Sequence, residues 1–405
     1  MIMAHAQPTA KAGWKQTTLK DSTDLITCGV AARPEYVENG IPFLSAKNVK
    51  HGEVIWHDHK FVSLETHEKL TKHNKPQKGD ILYTRVGSFG EAAIIDSDIE
   101  FSIFVSLTLI KPKDFLLNTF LKYYLNSPHI KSLASRSISG SGVGNLNVGT
   151  VRKFPIPVPP LAEQERIVGI LDEAFEGIAA ATAQAEKNLH NARELFQSVL
   201  QSTFSPKGDD WVEKTLKEMA KEFGRGKSKH RPRNADFLYG GQYPFVQTGD
   251  IRNSDHLITK YSQTYSEEGL AQSKLWPEGT VCITIAANIA ETGILNFDAC
   301  FPDSVIGMIP DPEKSIGGYI EYLLQFFKVE LQRQGKGSAQ DNINLGTFKD
   351  QTFPFAPVNK QQAIVEKLDA LSEETKRLEA IYERKQAALS ELKQSLLQKA
   401  FAGEL

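Results

Sequence analysis

The run Thr84-Arg85-Val86-Gly87-Ser88-Phe89-Gly90 places a forked cationic side chain at the end of an apolar stretch, among glycines that let a backbone approach a ligand closely. Arginine in such a setting suits hydrogen bonding to a base edge or a phosphate. A counterpart, Thr284-Ile285-Ala286-Ala287-Asn288-Ile289-Ala290, keeps the apolar lead but lacks the arginine and the glycines. Lys221–Arg233 carries six Lys or Arg and one Glu. Its Gly and Pro favour an extended loop, in which Arg225, Lys227, Lys229, Arg231 and Arg233 could contact phosphates. Leu44-Ser45-Ala46-Lys47-Asn48 and Val246-Gln247-Thr248-Gly249-Asp250 hold the small or forked polar side chains that direct base reading needs, Lys47, Asn48, Gln247 and Thr248. Arg33, Asn145, Lys336 and Asn342 complete the candidate set with Thr84, Arg85, Ser88 and Asn288. An isolated basic or polar loop is equally compatible with ordinary solvated surface, so these residues acquire meaning only from the elements that carry them.

Catalytic patterns are lacking. Gly224-Arg225-Gly226-Lys227-Ser228 resembles a phosphate-binding loop, but the position of its first glycine holds Lys221 and no apolar strand precedes it. Half of the ten histidines fall between His51 and His73. His57-Asp58-His59 has no cysteine or further partner nearby to build a metal site, which favours exposed or DNA-facing histidines. Neither N-P-P-Y nor D-P-P-Y occurs, so the chain is not expected to methylate DNA itself. Cys28, Cys282 and Cys300, odd in number and widely spaced, suit a reducing cytoplasm. The first twelve residues lack the pattern of a signal peptide, and no apolar run approaches the roughly 18 residues of a membrane span. With 40% hydrophobic and 24% charged residues the chain reads as globular. A net charge of −2 means that any grip on DNA comes from locally concentrated cations and from partners.

The organisation comes from an internal repeat. Gly13–Asp21 returns as Asp210–Glu218, Ile41-Pro42-Phe43 as Tyr243-Pro244-Phe245, and Leu146–Thr150 as Ile343–Thr347. From Gln164 onward the offset is fixed at 197, with Gln164 matching Gln361, Leu171-Asp172 matching Leu368-Asp369, and Phe204 matching Phe401. A drifting offset followed by a fixed one describes a domain with variable loops joined to a helix in constrained register. Ile81–Thr84, Ala92–Ile95 and Val105–Ile110 read as strands and Leu116–Leu133 as a helix. Val281–Ile285, Gly293–Phe297, Val305–Ile309 and Tyr319–Leu331 repeat that order.

Each copy ends in a stripe with 4-3 spacing, from Ile167 and Leu171 to Val199 and from Ile364 and Leu368 to Leu396. Forty-odd helical residues span roughly 60 Å. The prolines at 155–160 and 354–357 end each domain before its helix begins. One such helix is compatible with homodimerisation; two in one chain favour antiparallel pairing with each other. The reading is a mixed α+β (α/β) chain of two similar domains, 1–157 and 209–354, with helical spacers over 158–208 and 355–405 and an internal pseudo-two-fold axis.

This layout, with Pro155-Ile156-Pro157-Val158-Pro159-Pro160-Leu161-Ala162-Glu163-Gln164 and the R-x-G-S-x-G of Arg85–Gly90, resembles the specificity subunit of type I restriction–modification enzymes. The second copy departs from it, with Asn359-Lys360-Gln361 at the boundary and no R-x-G-S-x-G. The resemblance implies two target-recognition domains, each reading half of a bipartite site in double-stranded DNA. It also implies two antiparallel coiled-coil helices that act as a ruler. Gln164, Ile167, Leu171, Gln361, Ile364 and Leu368 are the candidate subunit-interface residues. Two DNA-methyltransferase subunits would dock there and hold S-adenosylmethionine, and a restriction subunit with translocase activity would use ATP and magnesium. No cofactor is expected on this chain. A non-catalytic protein-interaction scaffold and an enzyme with scattered active-site residues stay open beside this reading.

Overall fold

The structure is a computed structural model that describes residues 13–87, 89–138, 144–205, 208–229, 235–286, 288–336, 343, 345–348 and 351–405. Its contacts divide the chain into a first unit, running to Glu186 and resumed at Glu383–Leu405, and a second unit, Lys187–Tyr382.

In the first unit, β1 (Lys15–Thr18) precedes β2 (Thr23–Cys28), β3 (Ile81–Thr84), β4 (Ala92–Ile94) and β5 (Leu107–Pro112). A four-stranded antiparallel sheet runs in the order β2-β5-β3-β4. Successive side chains of a strand face opposite sides. Ile81 and Tyr83 therefore enter the core beneath α1 (Asn118–Leu125), while Leu82 joins Leu44, Val49 and Phe101 on the other face. Because both faces are covered, β3 reads as an unbroken apolar run. The helix expected over 116–133 is two helices, α1 and Pro128–Arg136. Pro128 stands at the start of the second, and the Ser127 hydroxyl accepts from the Ile130 N–H, capping it.

The proline segment is not a bare terminator. Pro155–Val158 forms β6, paired antiparallel with β1, so the first strand of the unit is tied to the root of α2 (Leu161–Phe204). The second unit repeats the arrangement with β7 (Val212–Thr215), β8 (Ala220–Arg225), β9 (Leu257–Ile258), β10 (Val281–Thr284), β11 (Thr292–Leu295) and β12 (Val305–Pro310). These are followed by α3 (Gly317–Lys336), β13 (Thr352–Phe355) and α4 (Val358–Ala402). The sheet order is β8-β12-β10-β11-β9, and β13 pairs with β7 as β6 does with β1. Val281 and Ile283 face the α3 side, and Cys282 faces the other.

Both long helices contribute to both cores. Ile167, Val168 and Leu171 from the start of α2, and Leu397, Ala400 and Phe401 from the end of α4, close the first core. Leu200 and Phe204 from the end of α2, and Val365 and Leu368 from the start of α4, close the second. Within the first unit the Arg166 guanidinium donates to the Leu405 carbonyl at 2.6 Å and the Lys393 ammonium lies 5.0 Å from the Phe175 ring centre. Ascending numbers on one helix meet descending numbers on the other, which makes the pairing antiparallel. The second unit has the Arg193–Glu379 ion pair at 2.9 Å. The apolar stripe is less regular than its spacing suggests. Ala185, Ala192 and Thr375 are buried, but Leu195, Lys385 and Leu392 are exposed.

Equivalent positions beside the helices carry different charges. In the second unit Glu321 is buried, takes hydrogen bonds from Thr292 and Gln325, and lies 2.7 Å from Nδ1 of His256. The His256 ring stacks on Tyr322, and its Nε2 is 3.9 Å from Asp369. Burial works against a charged ring, yet the hydrogen bond and charge of Glu321, with Asp369 beyond, outweigh burial and the opposing Lys376. His256 is therefore held above its ordinary value. In the first unit the matching helix position is Lys122, which burial pushes below the usual ammonium value while Asp172 and Glu53 pull it back.

Phe401 meets Phe120 and Tyr124 at ring distances of 5.3 and 5.0 Å, and Phe204 meets Tyr319 and Phe326 at 5.4 and 5.7 Å. Phe401→Ala should cost about 3–5 kcal/mol in the first unit, and Phe204→Ala the same in the second. Limited proteolysis with fragment mapping should show each variant cleaved in the unit named; cleavage confined to the other unit would contradict the assignment. Because the folded-state value of His256 is raised, its stabilisation is full below its ordinary pKa of about 6.5 and is lost as pH rises through the higher folded value. The urea midpoint should fall between pH 6 and pH 8.5 by more in the parent than in His256→Gln. An equal fall in both would show that the pair contributes nothing.

Candidate nucleic-acid interface

Antiparallel pairing brings the ends of β2 and β3 and the starts of β4 and β5 to one edge of the first sheet. The connections leaving that edge are fastened to one another. The Arg85 N–H donates to the Ser106 carbonyl at 3.0 Å, the Leu146 N–H to the Arg85 carbonyl at 2.8 Å, and the Ala46 N–H to the Ser106 hydroxyl at 3.0 Å. Val86 and Asn145 form a β-bridge, as do Val30 and Phe104. Sequence positions from Val30 to Leu146 thus meet at one rim, and it gathers Lys47, Asn48, Thr84, Arg85 and Asn145, with Arg33 three residues past the Val30 bridge.

Their side chains have different environments. Arg33, Lys47 and Asn145 are exposed; Lys47 pairs with Asp58 at 3.2 Å. Asn48 is buried, its amide N–H groups donating to the Ile55 and His57 carbonyls at 3.2 and 3.1 Å. Thr84 is buried too, its hydroxyl accepting from the Glu91 N–H at 2.9 Å. The Arg85 side chain is buried among carbonyl oxygens.

The second unit builds the same edge. The Gly226 N–H donates to the Val305 carbonyl at 2.9 Å, Ile285 N–H to Ser304 at 2.9 Å, and Ile343 N–H to Ile285 at 3.2 Å. The hydroxyl of Thr284 accepts from the Glu291 N–H at 2.9 Å, as Thr84 does from Glu91. Gly226 is fixed by packing. A Cβ there would lie 2.3 Å from the Phe301 carbonyl oxygen, and at the matching Gly29 one would lie 2.0 Å from that of Ile103. The glycine that gives the segment its phosphate-loop look therefore serves the crossing of two chain segments.

Arg225, Lys227 and Lys229 are exposed on this side, with Arg225 Nε donating to the Asp303 carbonyl at 2.7 Å. Gln247 donates through Nε2 to Gln263 at 2.5 Å, and Thr248 opens the short helix Thr248–Arg252. Arg252, which no local sequence pattern singles out, ends that helix exposed, with Nη1 3.4 Å from Asn288 Oδ1. It was legible only through alignment of its turn with Ser45–Lys50. Ser88, Arg231, Arg233 and Asn342 lie outside the described residues, and Lys336 is the last residue of α3.

The interface candidates on the long helices face inward. Gln164 is fully buried; its Nε2 donates to the Phe115 and Pro159 carbonyls, and its Oε1 accepts from the Leu117 N–H, all at 2.9 Å. Gln361 repeats this with Lys314, Ala356 and Ile316 at 3.1, 2.7 and 3.0 Å. Ile167, Leu171 and Leu368 belong to the cores, and Ile364 packs against one. His67, expected among exposed or DNA-facing histidines, is instead buried, because it sits on the inner face of its helix with Nδ1 2.9 Å from the Ser102 hydroxyl. Among the described residues no cluster of His, Cys, Asp or Glu could hold a metal ion, and no helix is long and apolar enough to cross a membrane.

Comparison with known proteins gives consistent matches. The family described as Type I restriction modification DNA specificity domain matches twice, over residues 11–189 and 208–387. The chain is similar, at 21% identity over 429 residues, to the type I restriction enzyme EcoKI specificity subunit of Escherichia coli (strain K12), spanning 97% of this chain and 89% of that one. Its fold is similar to a chain solved in work on complex assembly and conformational transition of the type I R-M system. The TM-score is 0.78 at 19% identity, over 98% of this chain and 100% of that one. The HsdS subunit from Thermoanaerobacter tengcongensis aligns with a TM-score of 0.64 at 19% identity, over 98% of each chain. At these identities the structural likeness establishes the fold.

Proposed function

We propose, from the premise that this chain belongs to the type I restriction modification DNA specificity family, that it recognises a bipartite site in double-stranded DNA, one half with each unit, and recruits modification subunits to it. The observation that carries this reading is the twofold family match, laid over two sheet edges of the same construction that differ in their side chains. Shared backbone with different side chains is what reading two unlike half-sites requires. Arg33, Lys47 and Asn145 at the first edge, and Arg225, Lys227, Lys229, Gln247, Thr248, Arg252 and Asn288 at the second, are the described residues we assign to DNA. Arg231, Arg233, Ser88, Lys336 and Asn342 extend the assignment. Asn48, Thr84 and Arg85 support the rim from beneath.

The domain limits we adopt are 1–157 and 209–354, with spacers 158–208 and 355–405. Two DNA-methyltransferase subunits dock on the spacers and carry S-adenosylmethionine and the adenine chemistry, and a restriction subunit with ATP and magnesium completes a cleaving complex. This chain contributes no catalytic group. Gln164, Ile167, Leu171, Gln361 and Leu368 are buried and Ile364 is half-buried, so these six serve docking by fixing each helix to its domain. The cell interior, where chromosomal DNA and these partners reside, is the compartment in which such a subunit works.

The test is salt-dependent binding of double-stranded DNA by the chain assembled with its modification subunits. Replacing Arg225, Lys227 and Lys229 by Gln should weaken binding to specific and unrelated DNA alike, and should lower the log–log salt slope by about 0.9 for each phosphate that is no longer neutralised. An unchanged slope would return Arg225, which ends strand β8 and not a loop as its sequence suggests, and the two lysines after it to plain surface. DNA binding indifferent to salt in the parent would favour the protein-binding scaffold.

A further inference from the structure

Arg85 and Asn145 share the first rim but not the same situation. Arg85 is 7% exposed, and all three nitrogens of its guanidinium are engaged. Nε donates to the Leu146 carbonyl at 2.8 Å, Nη1 to the Val105 carbonyl at 3.2 Å, and Nη2 to Asn145 Oδ1 at 3.0 Å. Asn145 is exposed, and its backbone is held by the bridge to Val86 and by the neighbouring Leu146–Arg85 hydrogen bond. No hydrogen bond among the described residues uses its Nδ2.

A guanidinium only donates, so the part of the Asn145 amide that meets it must be the oxygen. A free asparagine amide can turn over and offer either a donor or an acceptor to a base; this one keeps its oxygen on Arg85, which leaves the NH2 of an exposed residue as the group to offer. We infer that Asn145 reads a base in the first half-site as a hydrogen-bond donor, and that Arg85 is the positioning residue that imposes this polarity. The inference rests on the proposed DNA-reading function. Its chemical consequence is specific. A donor fits the acceptors of a guanine edge (O6 and N7), thymine O4 or adenine N7, and it is unsatisfied against cytosine, whose major-groove edge offers only the N4 donor. In the second unit Ile285 stands at the position of Arg85, so the device belongs to one half-site alone.

The experiment is a position-by-position base-preference profile, by competition binding of randomised sites to the chain assembled with its modification subunits. Asn145→Asp leaves one oxygen on Arg85 and turns an acceptor outward. One position of the first half-site should move toward cytosine or adenine, with on the order of a tenfold change in preference, while every other position keeps its profile. Arg85→Gln should relax discrimination at that same position; a merely structural loss would weaken the whole half-site evenly. Asn145 is exposed, so its variant tests the claim even where the Arg85 variant misfolds. A profile unchanged at every position, or a uniform loss at all of them, overturns the inference while leaving the DNA-reading function intact. A parent that shows no bipartite preference overturns the function itself.

Discussion

Each core in this protein is closed by the beginning of one long helix and the end of the other. Ile167 and Phe401 complete one, and Leu368 and Phe204 the other. Residues at opposite ends of the chain are therefore needed to finish the first core, and the second cannot close without the far end of α2. The buried glutamines secure the joint. With donors and acceptor all paired to backbone, Gln164 and Gln361 fix the direction in which each helix leaves its domain, and leaving such a group unpaired costs about 1–3 kcal/mol. Helix register can be conserved through this joint while loops elsewhere vary, which is the pattern of fixed and drifting offsets in the repeat.

The rim follows from the same economy of construction. The strand ends at this position are fastened by backbone hydrogen bonds, so Arg85 and Ile285 occupy one backbone position with the same donor–acceptor pattern around them. Glycine is required where chain segments cross, as at Gly29 and Gly226. A scaffold held by its backbone leaves its outward side chains free to differ, and on the proposed function that difference gives a bipartite target its asymmetry.

Much of this was legible in the sequence. Ile81–Thr84 and Val281–Thr284 announced themselves as apolar runs because both their faces are covered, and the long helices because their stripes persist for forty-odd residues. Orientation was not legible. Arginine at a rim and glutamine at a helix root look the same in sequence whether they face a ligand or their own backbone, and the structure turns Arg85 and Gln164 inward. His67 misleads for the same reason, since only its helix face decides its burial. Arg252 escaped because nothing local marks it; its place comes from a turn stabilised by Asp250, whose counterpart in the first unit is Asn48.

Whether two structurally similar units read two different halves of one DNA site is decided by co-expressing the chain with its modification subunits and mapping modified adenines across the host genome, then replacing the 13–157 segment with that of a related chain and mapping again. Two defined sequence blocks separated by an unread spacer are expected, with the exchange altering one block and leaving the other and the spacer length unchanged. A single continuous motif, or an exchange that altered both blocks together, would contradict this expectation.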